Sequence, residues 1–102
     1  MSKKINIAII QTSIYWEDIQ ANLNKFHKII NTIKSNIDVI FLPEMFNTGF
    51  SMNVNKIAET MDGRSISWLQ QVALNKNVSI VGSLSINENK KYYNRLVWVY
   101  PN

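Results

Sequence analysis

The chain has 102 residues, a formal net charge of +4, no cysteine and 46% hydrophobic residues. This length fits one domain, and the hydrophobic fraction is typical of a packed core, which excludes a globally disordered protein. Without cysteine, these residues supply no disulfide, no thiolate zinc site and no cysteine nucleophile.

The eleven lysines and arginines are spread thinly along the chain. Because clustering rather than net charge marks a nucleic-acid surface, we expect no nucleic-acid partner. The longest apolar stretches, such as residues 39–42, are too short to span a bilayer, and the first residues lack the continuous apolar region of a signal peptide. We therefore expect a cytoplasmic protein without a membrane partner.

The first half of the chain alternates between strand and helix patterns. Residues 4–13 are rich in isoleucine and predict a strand that is buried on both faces for part of its length. Asp18 is a candidate N-cap for an amphipathic helix of about five turns, in which apolar residues recur as far as Ile37 and which Asn36 is expected to end. Residues 38–42 form a short apolar run that predicts an interior parallel strand.

The second half begins with a turn-rich loop at residues 47–55, and a short helical turn is expected within residues 54–61. Ser65 is a candidate cap for a second helix. Residues 78–86 and 92–100 predict two strands joined by a polar turn, and so an antiparallel hairpin. The predicted order is β-α-β-α-β-β, which is an α/β fold.

Ligands of α/β sheets bind beyond the carboxyl ends of the parallel strands. The strands predicted to be parallel end near residues 11–13, 42–44 and 82–83, so these residues should gather at one edge of the sheet. Glu44 is the only carboxylate among them and follows an apolar run. A partly dry site at such an edge suits a carboxylate to general-base catalysis. The alternative is that Glu44 only caps a turn where the strand ends.

Other candidate sites are weaker. His27 is the only histidine and has no second metal ligand at a suitable spacing, so we expect no metal site. The chain has neither a Gly-rich phosphate loop nor a Gly-x-Ser-x-Gly sequence, and we expect no cofactor. Large apolar side chains flank Glu44, and they either line a pocket or cover the core or a subunit interface: Met45, Phe46, Phe50 and Met52.

Residues 42–46, Leu-Pro-Glu-Met-Phe, and the segment 47–52 after them resemble the nitrilase superfamily of carbon–nitrogen hydrolases, and within it the omega-amidase-like branch. Residues 92–96, Tyr-Tyr-Asn-Arg-Leu, also match, and the resemblance covers essentially the whole chain. It implies the amino-terminal part of a four-layer α-β-β-α sandwich, with residues 1–102 forming an incomplete domain.

The resemblance also implies a Glu-Lys-Cys mechanism: the glutamate is the base, the cysteine attacks a small amide and the lysine stabilises the tetrahedral intermediate. Glu44 matches the glutamate. The lysine and the cysteine match no residue of this chain, so we expect no turnover from it alone. The branch converts α-keto acid amides to acids and ammonia, and Phe46, Thr48 and Phe50 would lie near such a substrate. The full-length protein is expected to form homo-oligomers.

Two other functions stay open, a non-catalytic α/β module that binds a ligand or partner, and an inactive gene fragment. Either would share the β-α-β start and would need no cysteine. The nucleotide sequence beyond the codon for Asn102 separates them from the amidase, because a downstream lysine and cysteine within further strand and helix patterns would exclude the module.

Overall fold

A computed structural model describes residues 4–34 and 36–102, in which four strands and three helices follow one another. The predicted α/β order is confirmed, and α2 is the short helical turn expected within residues 54–61. None of the described helices has both the length and the apolar character to cross a bilayer. The elements are β1 (Ile7–Ile9), α1 (Ile19–Asn31), β2 (Val39–Phe41), α2 (Val54–Ile57), α3 (Arg64–Lys76), β3 (Ser79–Glu88) and β4 (Lys91–Val99).

The four strands form one sheet in the order β1-β2-β3-β4. The first three strands are parallel, with Ile9 beside Phe41 and Phe41 beside Val81, and β4 pairs with β3 in the antiparallel direction. Asn89 and Lys90 connect the last two strands with φ angles of 53° and 66°. Two consecutive positive φ angles are typical of a tight hairpin turn, so the predicted hairpin is confirmed.

Helices α1 and α3 cover one face of the sheet and enclose the core. Because strand side chains alternate between the two faces, every second residue of each strand points towards these helices. Aromatic and aliphatic side chains from both layers and from the loop after β2 are fully buried there, among them Phe26, Phe46, Leu69, Ile80 and Leu84.

The opposite face of the sheet is open and apolar. Ile9 on β1 is 76% exposed and Leu96 on β4 is 70% exposed, and Ile7 and Trp98 are exposed on the same face. The expectation that the first strand is buried on both faces is therefore wrong for this structure. The reason is that β1 is an edge strand and the helices cover only one of its faces.

The two long helices begin with different caps. The carboxylate of Asp18 accepts a hydrogen bond from the N–H of Ala21 at 3.1 Å, so the predicted N-cap of α1 is confirmed. Helix α3 has Gly63 at its N-cap, which offers no side-chain acceptor. Ser65 lies in the first turn of α3, so the prediction that Ser65 caps this helix is wrong.

Helix α1 ends earlier than its apolar pattern predicts. The last helical residue is Asn31 rather than a residue near Asn36. The hydroxyl of Thr32 donates a hydrogen bond to the carbonyl of Ile29 at 2.6 Å, and such local bonding competes with continuation of a helix. Ile33 and Ile37 pack against the core from non-helical chain, so their spacing predicted burial correctly and conformation wrongly.

Candidate active site

The chain that follows β2 lies beside Ser83, as predicted, but β3 does not end there and continues to Glu88. The N–H of Leu42 continues the pairing with β3 beyond the end of β2. Ser83 on β3 then accepts two hydrogen bonds from the following loop, one at its Oγ from the N–H of Met45 (3.0 Å) and one at its carbonyl from the N–H of Phe46 (3.3 Å). Glu44 lies in the loop held by these bonds.

Glu44 begins a tight turn over residues 44–48 and its side chain is exposed. The partly dry surroundings expected from the sequence are therefore not provided by this chain. The next residue, Met45, has φ of 51°, a left-handed conformation that costs a non-glycine residue about 1–3 kcal/mol. The side chain of Met45 is buried, and its carbonyl accepts the N–H of Gly49 at 2.8 Å, so packing and hydrogen bonding hold this conformation.

The three predicted substrate contacts occupy different surroundings. Phe46 is fully buried, with its ring centroid 6.0 Å from that of Phe26 and 6.1 Å from that of Trp68. Thr48 is also fully buried, and its hydroxyl donates to the carbonyl of Gly49 at 2.9 Å. Phe50 is 66% exposed. Of the three side chains, only Phe50 therefore offers surface to a small molecule.

A partly buried polar cluster lies behind the turn that carries Glu44. It consists of Asn47, Glu59 and Ser65. The amide of Asn47 donates to Oε2 of Glu59 at 3.1 Å and to Oγ of Ser65 at 3.0 Å. The hydroxyl of Ser65 donates to Oε2 of Glu59 at 2.5 Å, and the N–H of Ser65 donates to Oε1 at 2.8 Å. This cluster connects the Glu44 turn to the start of α3.

The amino-acid pattern predicts no role for this cluster. Its three members are separated by 12 and 6 residues, so no local spacing rule brings them together. One signal was present, since Gly63, the residue before α3, offers no side-chain acceptor and the first turn of the helix contains no acidic residue. The first N–H groups of a helix need acceptors, and Glu59 is a nearby carboxylate that can supply them.

A second set of contacts holds the part of the chain at the end of the Glu44 turn and after it. The hydroxyl of Ser51 donates to Glu17 at 2.5 Å, and the ammonium group of Lys56 lies 3.0 Å from the other oxygen of that carboxylate. The hydrogen bond from the Ser51 hydroxyl has the largest effect on the pKa of Glu17, and the bond from Lys56 has the next largest. Both hold this pKa below its ordinary value of 4.5. The N–H of Glu17 also donates to the carbonyl of Thr48 at 2.9 Å.

A cavity of about 240 Å³ separates this loop from the β3–β4 hairpin. Its wall is mostly apolar and begins at Met45, the residue after Glu44: Met45, Phe50, Met52, Val54, Tyr92 and Tyr93, with Ser51, Ser85 and Asn94 as polar members. A larger concavity of about 430 Å³ lies near Asp38 and Val78, at the amino ends of the strands. The smaller cavity is the better candidate for a substrate, because ligands of parallel sheets bind at the carboxyl ends.

The described residues contain no group of three or more histidine, aspartate or glutamate side chains that could bind a metal ion. His27 is exposed on α1, where its ring lies 3.1 Å from the amide of Asn31. Its environment is therefore that of a surface residue.

The chain is similar to known carbon–nitrogen hydrolases. It is 36% identical over 99 residues to omega-amidase YafV of Yersinia enterocolitica, covering 95% of this chain and 37% of that protein. It is 33% identical over 96 residues to 2-oxoglutaramate amidase of Bacillus subtilis, covering 91% of this chain and 37% of that protein. The chain therefore spans a little over a third of the length of these relatives.

A solved structure of a carbon–nitrogen hydrolase superfamily protein is also similar to this chain. A carbon–nitrogen hydrolase superfamily protein from Xanthomonas campestris, with an arsenic adduct in its active site, superimposes with a TM-score of 0.92 and 29% identity. The match covers 98% of this chain and 38% of that one. The family model for carbon–nitrogen hydrolase matches residues 6–102. The chain belongs to the carbon–nitrogen hydrolase family.

Proposed function

We propose that these 102 residues are the amino-terminal part of an amidase that hydrolyses α-keto acid amides to the acid and ammonia, and that Glu44 is its general base. The observation that carries this proposal is the position of Glu44, just beyond the carboxyl end of the parallel strand β2 in a family member. The substrate class is supported by the names of two relatives, an omega-amidase and a 2-oxoglutaramate amidase.

The proposed reaction has two steps that share one base. The carboxylate of Glu44 takes the thiol proton of a cysteine as the sulfur attacks the amide carbon, and the same proton is passed to the leaving nitrogen, which departs as ammonia. A water molecule then loses a proton to Glu44 and attacks the thioester, releasing the acid and restoring the thiol. A lysine stabilises the negative oxygen of each tetrahedral intermediate.

Both the cysteine and the lysine would come from outside these 102 residues. The sequence here contains no cysteine, and its resemblance to the family assigns no lysine to the catalytic position. We therefore expect no turnover from these residues alone, because the attacking atom is missing.

We propose that Phe50 contacts the substrate from the wall of the 240 Å³ cavity. Its exposure and its place six residues after Glu44 support this role. Phe46 and Thr48 would act on the site indirectly, by fixing the shape of the loop, since both side chains are fully buried.

A longer catalytic unit is supported by the open face of the sheet. Apolar side chains such as Ile9 and Leu96 are exposed there, and further chain of a sandwich fold would cover them. Homo-oligomers and a cytoplasmic location for the whole protein stay predictions.

The test starts from the gene. Reading the nucleotide sequence past the codon for Asn102 shows whether a lysine and a cysteine follow in frame. The whole product is then assayed for ammonia release from 2-oxoglutaramate, with Glu44→Gln as the variant and Glu88→Gln as a matched control on the exposed end of β3. We expect Glu44→Gln to lower kcat by at least about a hundredfold. A stop codon directly after Asn102 in intact genomic context, or a Glu44→Gln protein that retains its activity, would overturn the proposal.

A further inference from the structure

Glu59 lies where the Glu44 turn, the start of α3 and the sheet come together. Its backbone is joined to β3, because its N–H donates to the carbonyl of Ser85 at 3.1 Å and its carbonyl accepts the N–H of Asn87 at 2.8 Å. These bonds form an isolated parallel bridge between Glu59 and Ile86. The sheet therefore sets the point from which the Glu59 side chain extends.

The carboxylate of Glu59 caps helix α3 from outside the helix. Its Oε1 accepts the N–H of Ser65 at 2.8 Å, which gives an acceptor to a helix whose N-cap has no side chain. A Cβ atom built on Gly63 would lie 2.7 Å from this same oxygen. Glycine at position 63 therefore leaves the space that the carboxylate fills, and a negative group at a helix N-terminus is favourable.

Asn47 connects this fixed carboxylate to the loop. It follows Glu44 by three residues, is fully buried, and donates its amide to Glu59 and Ser65. Its backbone carbonyl accepts a hydrogen bond from the side chain of Asn22 on α1 at 2.8 Å. Asn47 is thus held from two helices, and a buried group with these bonds is costly to displace.

We propose that Glu59 and Asn47 are positioning residues for Glu44: their partly buried hydrogen bond fixes the turn of residues 44–48 relative to α3 and β3, so that the Glu44 carboxylate meets its proton donor. This inference rests on the proposed function of Glu44. A base must lie within hydrogen-bond reach of its proton, and a misplacement of about 1 Å can cost about a hundredfold in rate. Glu59 and Asn47 themselves do not contact the substrate.

The test uses the whole protein and two nearly isosteric changes. Glu59→Gln replaces an acceptor with an amide N–H₂ group, which then faces donors. Asn47→Asp replaces the donor with a second carboxylate that faces Glu59. For each variant we expect kcat to fall about a hundredfold while KM changes by a few-fold at most. Glu88→Gln, which removes an exposed carboxylate that pairs with Arg95, is the control and should keep the wild-type kcat.

The double variant Glu59→Gln with Asn47→Asp provides a rescue that loss of stability alone does not predict. It exchanges donor and acceptor, so that the amide introduced at position 59 can donate to the carboxylate introduced at position 47, while the carbonyl of that amide still accepts the N–H of Ser65. We expect its kcat to recover at least about tenfold over either single variant. The folded fraction of each variant is measured by circular dichroism at the assay temperature, and kcat is expressed per folded molecule.

The outcomes separate this inference from the proposed function. If Glu44→Gln is inactive while both single variants turn over at the wild-type rate per folded molecule, or if the double variant shows no recovery, this inference is wrong and the role of Glu44 stands. If Glu44→Gln keeps its activity, the proposed function fails and this inference fails with it. Where one single variant does not fold, the other takes its place, because each of them breaks the same hydrogen bond between Asn47 and Glu59. A kcat about a hundredfold lower supports positioning, and an unchanged kcat overturns it.

Discussion

The ring of Phe46 rests directly on the backbone of Gly82. A Cβ atom built at position 82 would lie 2.9 Å from Cδ1 and 3.1 Å from Cε1 of that ring. Real Cβ atoms do not approach a ring this closely, so a larger residue on β3 would displace the loop that carries Glu44. The absence of a side chain at one point of the sheet thus determines how the loop of the proposed base is seated.

Gly82→Ala should destabilise the protein by about 1–3 kcal/mol, because the added methyl group overpacks a fully buried contact. It should also lower kcat, since Phe46 lies two residues from Glu44. Urea denaturation of the whole protein measures the first effect and steady-state kinetics the second. The pairing of Gly82→Ala with Phe46→Leu tests the cause: a partial recovery of stability is expected, and purely additive losses would contradict the steric explanation.

Phe46 and Phe50 form a matched pair in the same loop. Phe46→Ala should cost about 3–5 kcal/mol of stability, because it removes a fully buried ring packed between Phe26 and Trp68. Phe50→Ala should change stability by less than about 0.5 kcal/mol, since its ring is mostly exposed, and should raise KM for the amide. Thermal denaturation and Michaelis–Menten kinetics of both variants check the difference. Equal losses of stability would contradict the assignment of one ring to the core and the other to the site.

The Glu17 contacts predict a dependence of stability on pH. The pKa of Glu17 is lowered in the folded chain, first by the Ser51 hydroxyl and then by Lys56, so the folded state binds this proton more weakly than the unfolded state. The resulting stability is present above the unfolded pKa, near 4.5, and is lost as the pH falls through the lower folded pKa. Urea midpoints of the wild type and Glu17→Gln should therefore differ at pH 7 and converge in acid. The hydrogen bond from Arg95 also lowers the pKa of Glu88. Glu88→Gln is therefore the control, because it shows how much of the stability lost in acid comes from a carboxylate other than Glu17.

The open face of the sheet predicts that the 102-residue chain associates when it is prepared alone. Ile9 and Leu96 are exposed on that face, and burial of apolar area of this kind drives contact between chains. Light scattering should give a mass that rises with concentration, and Ile9→Lys with Leu96→Lys should reduce it. A monomer that melts cooperatively at every concentration would contradict this prediction.

Much of the fold could be predicted because its signals are local. Asp18 precedes an amphipathic pattern and caps α1, and two β-rich segments around a polar turn form the hairpin. The edge that carries Glu44 followed from one rule about parallel strands, without contact information. The end of α1 was missed because Ile33 and Ile37 keep a helical spacing while they pack from non-helical chain.

The interior of the site could not be predicted in the same way. Phe46 and Phe50 are both apolar and lie in one loop, and nothing in their spacing tells the buried ring from the exposed one. Asn47 lies in the loop after β2, Glu59 between α2 and α3, and Ser65 in α3. Only the folded arrangement of the sheet brings these three side chains within hydrogen-bond distance. Long-range polar contacts of this kind leave no periodic pattern in a sequence.

The strand order β1-β2-β3-β4 has a consequence for synthesis on the ribosome. Each strand after β1 pairs with the strand that precedes it in the chain, so β2, β3 and β4 each find their partner already made when they leave the ribosome. The turn that carries Glu44 is bound to β3 through Ser83, and it can therefore be seated as soon as β3 emerges. The order of translation and the order of assembly coincide for these four strands, and the geometry around the proposed base can be set while the apolar face is still uncovered.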